Sequence, residues 1–150
     1  MTSAQSRVRW LTDLIRLEIV LWDRVDARLK EAHDLPLAHF ELLHLLGDAG
    51  TGGLRIGEVA QRLRITVGGA SKLVDRVEAS QLIQREPDPG DRRASRVALT
   101  PRGRVVLETA IGSYATGLAD VLDTVLTEAD QQHLHVLVRR LLDALTAGQG

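Results

Sequence analysis

The 150-residue chain contains no cysteine. That absence removes disulfides, thiol nucleophiles, cysteine-ligated zinc, iron–sulfur clusters and thiol-based redox sensing together. No run reaches the roughly 18 apolar residues that a bilayer span needs, because charged residues interrupt every helical pattern, so no membrane partner is expected. The polar start, Met1 to Arg9, lacks an apolar stretch leading to a small-residue cleavage site. It does not read as a signal peptide, and a cytoplasmic protein is expected.

Further absences bear on catalysis. Gly47 and Gly52 have the separation of the glycines in a phosphate-cradling loop, but Gly53 stands where the phosphate-binding lysine must be. Ser71 is not surrounded by a G-x-S-x-G elbow. His133 and His135 are two apart and point about 200° from each other on a helix, and His39 and His44, five apart, also diverge. Zinc held by histidines of different helices is the weak remaining alternative. No enzyme, cofactor or resident metal is expected.

What is present is the balance of a globular protein, with 44% hydrophobic and 26% charged residues, in a chain of the length of one domain, 1–150. The net charge of −1 conceals an asymmetry. Residues 1–50 hold 6 basic and 8 acidic side chains, residues 51–104 hold 11 and 6, and residues 105–150 hold 2 and 6. The middle is therefore +5 between flanks of −2 and −4. A polyanion is drawn to such a middle, although a merely solvated charge run has the same composition.

Apolar residues recur from Val8 to about Ala32 without Gly or Pro, which predicts a long helix. Its stripe is wider than one core can cover, because Leu17 and Leu21 lie well round from Ile19 and Trp22. Pro36 restarts the chain, and Leu37, Phe40, Leu43 and Leu46 carry a second helix to Gly47. After a glycine-rich loop to Gly53, Ile56, Val59, Ala60 and Leu63 mark a short helix, and Arg64 and Ile65 mark a turn. Thr66 caps the next helix, which runs to about Ser80.

On that helix Ala70, Leu73, Val74 and Val77 share one face, with Gly68, Lys72, Asp75 and Arg76 opposite and Gly69 and Ser71 at the edges. Two short helices joined by a tight turn, the second exposing a small-then-cationic face, form the arrangement that enters a DNA major groove. A strand over Leu82–Glu86, a loop from Pro87 to Arg93 and a strand over Ser95–Thr100 form a β-hairpin wing. Arginine at its tip can reach a minor groove, with Asp91 expected to hold one guanidinium in place. Thr100 and Pro101 open a helix to Leu126, and Thr127 caps the last one. These terminal helices carry more Leu, Ile and Val than one half-core requires, so a second copy is expected to cover the surplus.

Asp91, Arg93, Leu99 and Thr100 fit D-x-R-x₅-L-T and are followed by Pro101, Arg102 and Gly103. With the preceding helix-turn-helix, the chain resembles the MarR family of bacterial transcription regulators. The resemblance implies a mainly α fold with a small β-hairpin wing: a winged helix-turn-helix over 36–100, flanked by dimerisation helices over 8–32 and 101–147. It implies a homodimer on a short inverted repeat of double-stranded DNA, usually a repressor released by a small aromatic or phenolic effector.

The DNA-contacting candidates are Thr66, Val67, Gly68, Gly69, Ser71, Lys72, Arg76, Asp91, Arg92, Arg93 and Arg96. Arg9, Trp10, Arg16, His39 and Phe40 are the candidates for an effector pocket. Two departures from the family pattern matter. Gln81 stands where glycine is common, which leaves a left-handed turn there in question. Val67, Gly68 and Gly69 offer few hydrogen bonds to bases, so shape readout and the wing are expected to carry more of the specificity. The rival reading is a winged helix that binds protein. Such a module has no need of Arg62, Arg64, Lys72, Arg76, Arg92, Arg93 and Arg96 together.

Overall fold

The computed structural model describes residues 3–148; Met1 and Thr2 of the polar start lie outside them. The elements in chain order are α1 (Ala4–His33), α2 (Leu37–Ala49), β1 (Leu54–Arg55), α3 (Ile56–Leu63), α4 (Val67–Ala79), β2 (Ile83–Asp88), β3 (Asp91–Leu99), α5 (Pro101–Leu122) and α6 (Glu128–Thr146). The three strands form one antiparallel sheet in the order β1-β3-β2. This is the mainly helical winged-helix architecture expected from the sequence, with four differences of detail.

First, α1 begins at Ala4, earlier than the apolar pattern, because Ser3 accepts a hydrogen bond from the Ser6 amide at 3.2 Å and caps it. Second, α5 stops at Leu122, before Leu126. Third, β1 was not foreseen. It has two residues, Leu54 opposite Val97 and Arg55 opposite Arg96, and exists only because β3 lies beside it. Fourth, the wing strands are longer than predicted: β2 extends to Asp88 and β3 starts at Asp91, so only Pro89 and Gly90 separate them.

Glu108 and Asp120 interrupt α5 as expected, yet they do not keep it below the length and hydropathy of a membrane span. Helix α5 has 22 residues and a window of mean hydropathy 1.3, long and apolar enough to cross a membrane by length and composition. Here its Leu107 and Ala110 join the same core as Leu29, Leu43 and Leu99. Its buried Gly103 lies so close to the Leu82 carbonyl that a Cβ would sit 1.9 Å from that oxygen. Any side chain at this position would push α5 off the start of the wing.

The core gathers beneath α2, α3, α4 and the sheet, where Leu42, Leu43, Leu46, Val59, Val74, Val77, Ile83 and Val97 are fully buried. From α1 only Val25 and Leu29 are buried, both near its C-terminal end. No residue of α6 is buried. Asp26 ties the two parts together: its carboxylate accepts from the Leu37 amide at 2.9 Å, satisfying the first turn of α2, and pairs with Lys30 at 2.7 Å. Those bonds hold its pKa below the ordinary aspartate value.

Candidate nucleic-acid interface

The helix-turn-helix owes its geometry to local chemistry. Arg64 ends α3 in the left-handed conformation (φ 55°), and the Ile65 amide returns to the Ala60 carbonyl at 3.0 Å. Thr66 then accepts from the Gly69 amide at 3.0 Å and starts α4. The predicted faces separate as expected: Ala70, Leu73, Val74 and Val77 are buried. Thr66, Val67, Gly68, Lys72 and Arg76 are exposed, and Gly69 and Ser71 sit at the boundary. Val67 is 61% exposed, so the first turn of α4 presents an apolar side chain to solvent.

Asp75 would place negative charge on this face, and the wing cancels it. Arg85 of β2 donates to Asp75 at 2.6 Å and also pairs with Glu78. Its amide reaches the Glu78 carboxylate at 3.0 Å as well. These three side chains join the recognition helix to the wing. The sequence signal was Asp75 and Glu78 at i,i+3, with Arg85 beyond the next turn.

The wing corrects the role expected of Asp91. Asp91 does not hold a guanidinium; its carboxylate accepts from the Arg93 amide at 2.9 Å and shapes the turn. Arg96, another of the DNA-contacting candidates, lies at the wing's root. Its Nε donates to Asp88 at 2.9 Å and its Nη1 to the Gly53 carbonyl at 3.2 Å, which fixes it at the wing's root.

The orienting carboxylate is Asp88, whose side chain is only 2% exposed. It also accepts from Arg55 Nε at 2.7 Å and from the Gly90 amide at 2.8 Å. Hydrogen bonding to Arg55 and Gly90, with the charges of Arg55 and Arg96, holds its pKa far below the usual carboxylate range. Arg55, Arg85 and Asp88 are the residues that sequence reasoning missed. Arg92 and Arg93 remain at the tip, exposed, and their guanidinium groups make no ion pair among the described residues.

Below α4 lies a polar cleft of about 420 Å³ that includes His39, Gln81 and Arg102. Burial, and then the nearby Arg76 charge, hold His39 below the ordinary histidine range. Gln81 does adopt the left-handed conformation (φ 62°) that glycine commonly supplies. Its amide donates to the Glu78 carbonyl at 2.8 Å, and its carbonyl accepts from the Thr100 hydroxyl at 2.7 Å. Both its peptide groups are thereby held.

The five effector-pocket candidates are not brought together. Arg9, Trp10 and Arg16 stand exposed on the first half of α1, with Arg16 near Asp13. His39 faces the polar cleft, and Phe40 is buried, its ring stacked on Tyr114 with centroids 4.9 Å apart. Among the described residues no three histidine or carboxylate side chains converge to hold a metal ion.

Residues 33–94 match the model of the MarR family. The HTH-type transcriptional regulator YsmB of Bacillus subtilis is 29% identical over 73 residues, 49% of this chain and 50% of that protein. The HTH-type transcriptional repressor MdtR of the same organism is 26% identical over 88 residues, 59% of this chain and 57% of that protein. The chain thus spans about half the length of the curated relatives it matches. Over the whole fold it is similar to Sco3205, a MarR family transcriptional regulator from Streptomyces coelicolor solved in complex with DNA. That likeness has a TM-score of 0.81 and 26% identity, covering 97% of this chain and 90% of that one. These relatives are regulators, not enzymes. With the family's model matched over residues 33–94 and a fold similar to that of Sco3205 over 97% of the chain, the protein resembles the MarR family.

Proposed function

We propose that the protein is a sequence-specific transcriptional repressor that acts in the cytoplasm as a homodimer on a pseudo-palindromic operator and is released by a small ligand. One observation carries the reading: the exposed face of α4 and the wing tip place Lys72, Arg76, Arg92 and Arg93 on one module, and the acids nearest them are engaged elsewhere. The first turn of α4 enters a major groove, where Thr66, Ser71 and Lys72 supply polar contacts and Val67 suits a thymine methyl. Gly68 leaves the backbone room to approach. Arg92 and Arg93 lie along the adjacent minor groove, where narrow stretches concentrate negative potential. Arg96 acts by holding the wing's root.

Helices 8–32 and 101–147 serve as dimerisation helices, and residues 36–100 form the DNA-binding region. Two-fold pairing sets the recognition helices about 34 Å apart, one turn of duplex. A ligand releases DNA only if it binds the two dimer conformations with different affinity. The DNA-bound structure of Sco3205 and the repressor name of MdtR support this reading.

Selection of sites from random duplexes, followed by titration over a range of salt, is the test. An inverted repeat and a steep decline of affinity with salt, near −0.9 in log–log slope for each phosphate neutralised, are the expected results. No enriched repeat and a flat salt response would instead favour a protein partner.

A further inference from the structure

Asp75 stands between Lys72 and Arg76 on the exposed side of α4, with its side chain 61% exposed. A carboxylate in that place repels a polyanion, so charge alone favours its loss. What it does is bind Arg85 of β2, whose guanidinium bridges two acids. Nη2 donates to Asp75 at 2.6 Å and Nη1 donates to Glu78. The backbone joins in, because the Arg85 amide donates to the other oxygen of Glu78 at 3.0 Å.

Sheet order gives the bridge its weight. Strand β2 lies at an edge and pairs with β3 alone, and the outer backbone groups of an edge strand have no strand to bind. Arg85, opposite Val97, turns its amide outward to α4 instead. On the other flank of the hairpin, Asp88 joins Arg55 and Arg96 and ties it to β1. Among the described residues, the ion pairs that run from α4 to the wing are the two made by Arg85.

We infer that Arg85 is a positioning residue for DNA recognition: by bridging Asp75 and Glu78 it fixes the angle between α4 and the wing, so that the major-groove and minor-groove contacts fall together on one half-site. Its guanidinium is committed to the two acids and is not offered to phosphate. Asp75 is kept on a cationic face because it holds that angle. The competing account is a local ion pair without influence on recognition. Partly exposed pairs add little to stability, so breaking the bridge spares the fold. The groove contacts rest on the regulator reading above; the bridge does not.

Binding of the full chain to a selected operator and to a scrambled duplex of equal length tests the inference, because charge and position predict opposite signs. Asp75→Asn removes a negative charge beside the duplex, and if charge decides, both affinities rise. If position decides, operator affinity falls about fivefold or more while affinity for the scrambled duplex holds or rises. The second result is expected. Arg85→Gln should lower operator affinity about tenfold, and adding Asp75→Asn to it should cost little more, since both break one link. Asp75→Glu, which keeps a carboxylate within reach, should bind the operator to within about threefold of the wild type. Thermal melting confirms the fold of each variant, and Asp75→Asn, at an exposed site, serves if Arg85→Gln fails to fold.

Hydrogen exchange without DNA is the independent readout. Exchange over residues 83–93 should quicken in Asp75→Asn and Arg85→Gln, while α3 keeps wild-type rates. Tighter operator binding by Asp75→Asn, equal losses on both duplexes, additive losses in the double variant, or unchanged wing exchange overturns the inference. A wild type that prefers no duplex, together with faster wing exchange in the variants, sinks the regulator reading and leaves the bridge between α4 and the wing standing.

Discussion

Between Leu37 and Leu99 the large apolar side chains are covered, with two exceptions, Ile65 and Val67, where α4 begins. In α1 before Val25, and throughout α6, none is buried, and Trp10, Ile15, Leu137 and Leu141 all stand open to solvent. Charge divides the same way, positive in the middle and negative at both ends. One region is complete in a single copy and exposes what a polyanion recognises. The other leaves large apolar side chains of α1 and α6 open to solvent in a single copy. The contrast supports the proposed division of roles, nucleic acid for the first region and self-association for the second.

The largest expected effect attacks the second region. Leu137→Asp with Leu141→Asp should convert a dimer to monomers in sedimentation velocity and weaken operator binding by about 100-fold or more, because the second half-site contact is lost. A monomeric wild type, or full operator affinity in the dissociated variant, would break the comparison.

A smaller effect is expected in the first region. Replacing Arg92 and Arg93 with alanine should weaken duplex binding by about 10- to 100-fold and flatten the salt slope by about 2, leaving the oligomeric state unchanged.

Asp88→Asn tests whether the wing is held from its root. Arg55 and Arg96 lose their shared carboxylate, and the melting temperature should fall. The pH dependence has a definite sign. The carboxyl is more acidic folded than unfolded, so its contribution is fully present above the unfolded value near 4 and is lost as pH falls below it toward the folded value. The wild type should therefore lose stability steeply in acid, and the variant less so.

The smallest effect is at Gln81. A non-glycine residue in the left-handed region costs roughly 1–2 kcal/mol, part of which glycine returns as unfolded-state entropy. Gln81→Gly should raise stability by about 0.5–1 kcal/mol in denaturant melts.

Local chemistry made much of this legible in sequence. Thr66, Thr100 and Thr127 each announce a helix start by reaching an amide three residues on, so those boundaries were correct to within a residue. The misses at Arg55 and Asp88 are matters of long range. Arg55 and Asp88 are 33 residues apart, and nothing near either one points to the other. Asp88 and Asp91 sit in one short turn, and the irregular register at Pro87 and Asp88, which no propensity reveals, turns one inward and leaves the other outside. Gln81 keeps a glycine conformation because partners at Glu78 and Thr100 hold it, one of them 19 residues away. The effector pocket was misjudged for a similar reason. Residues near in sequence and apt in chemistry, His39 and Phe40, face different spaces.

Helix α5 starts against the wing, with Gly103 pressed on the Leu82 backbone, and ends among the flanking helices after 22 residues, about 33 Å of unbroken rod. Clamped so firmly at its first turn, it acts as a lever. A tilt of a few degrees at its far end would swing the wing root by an ångström or two.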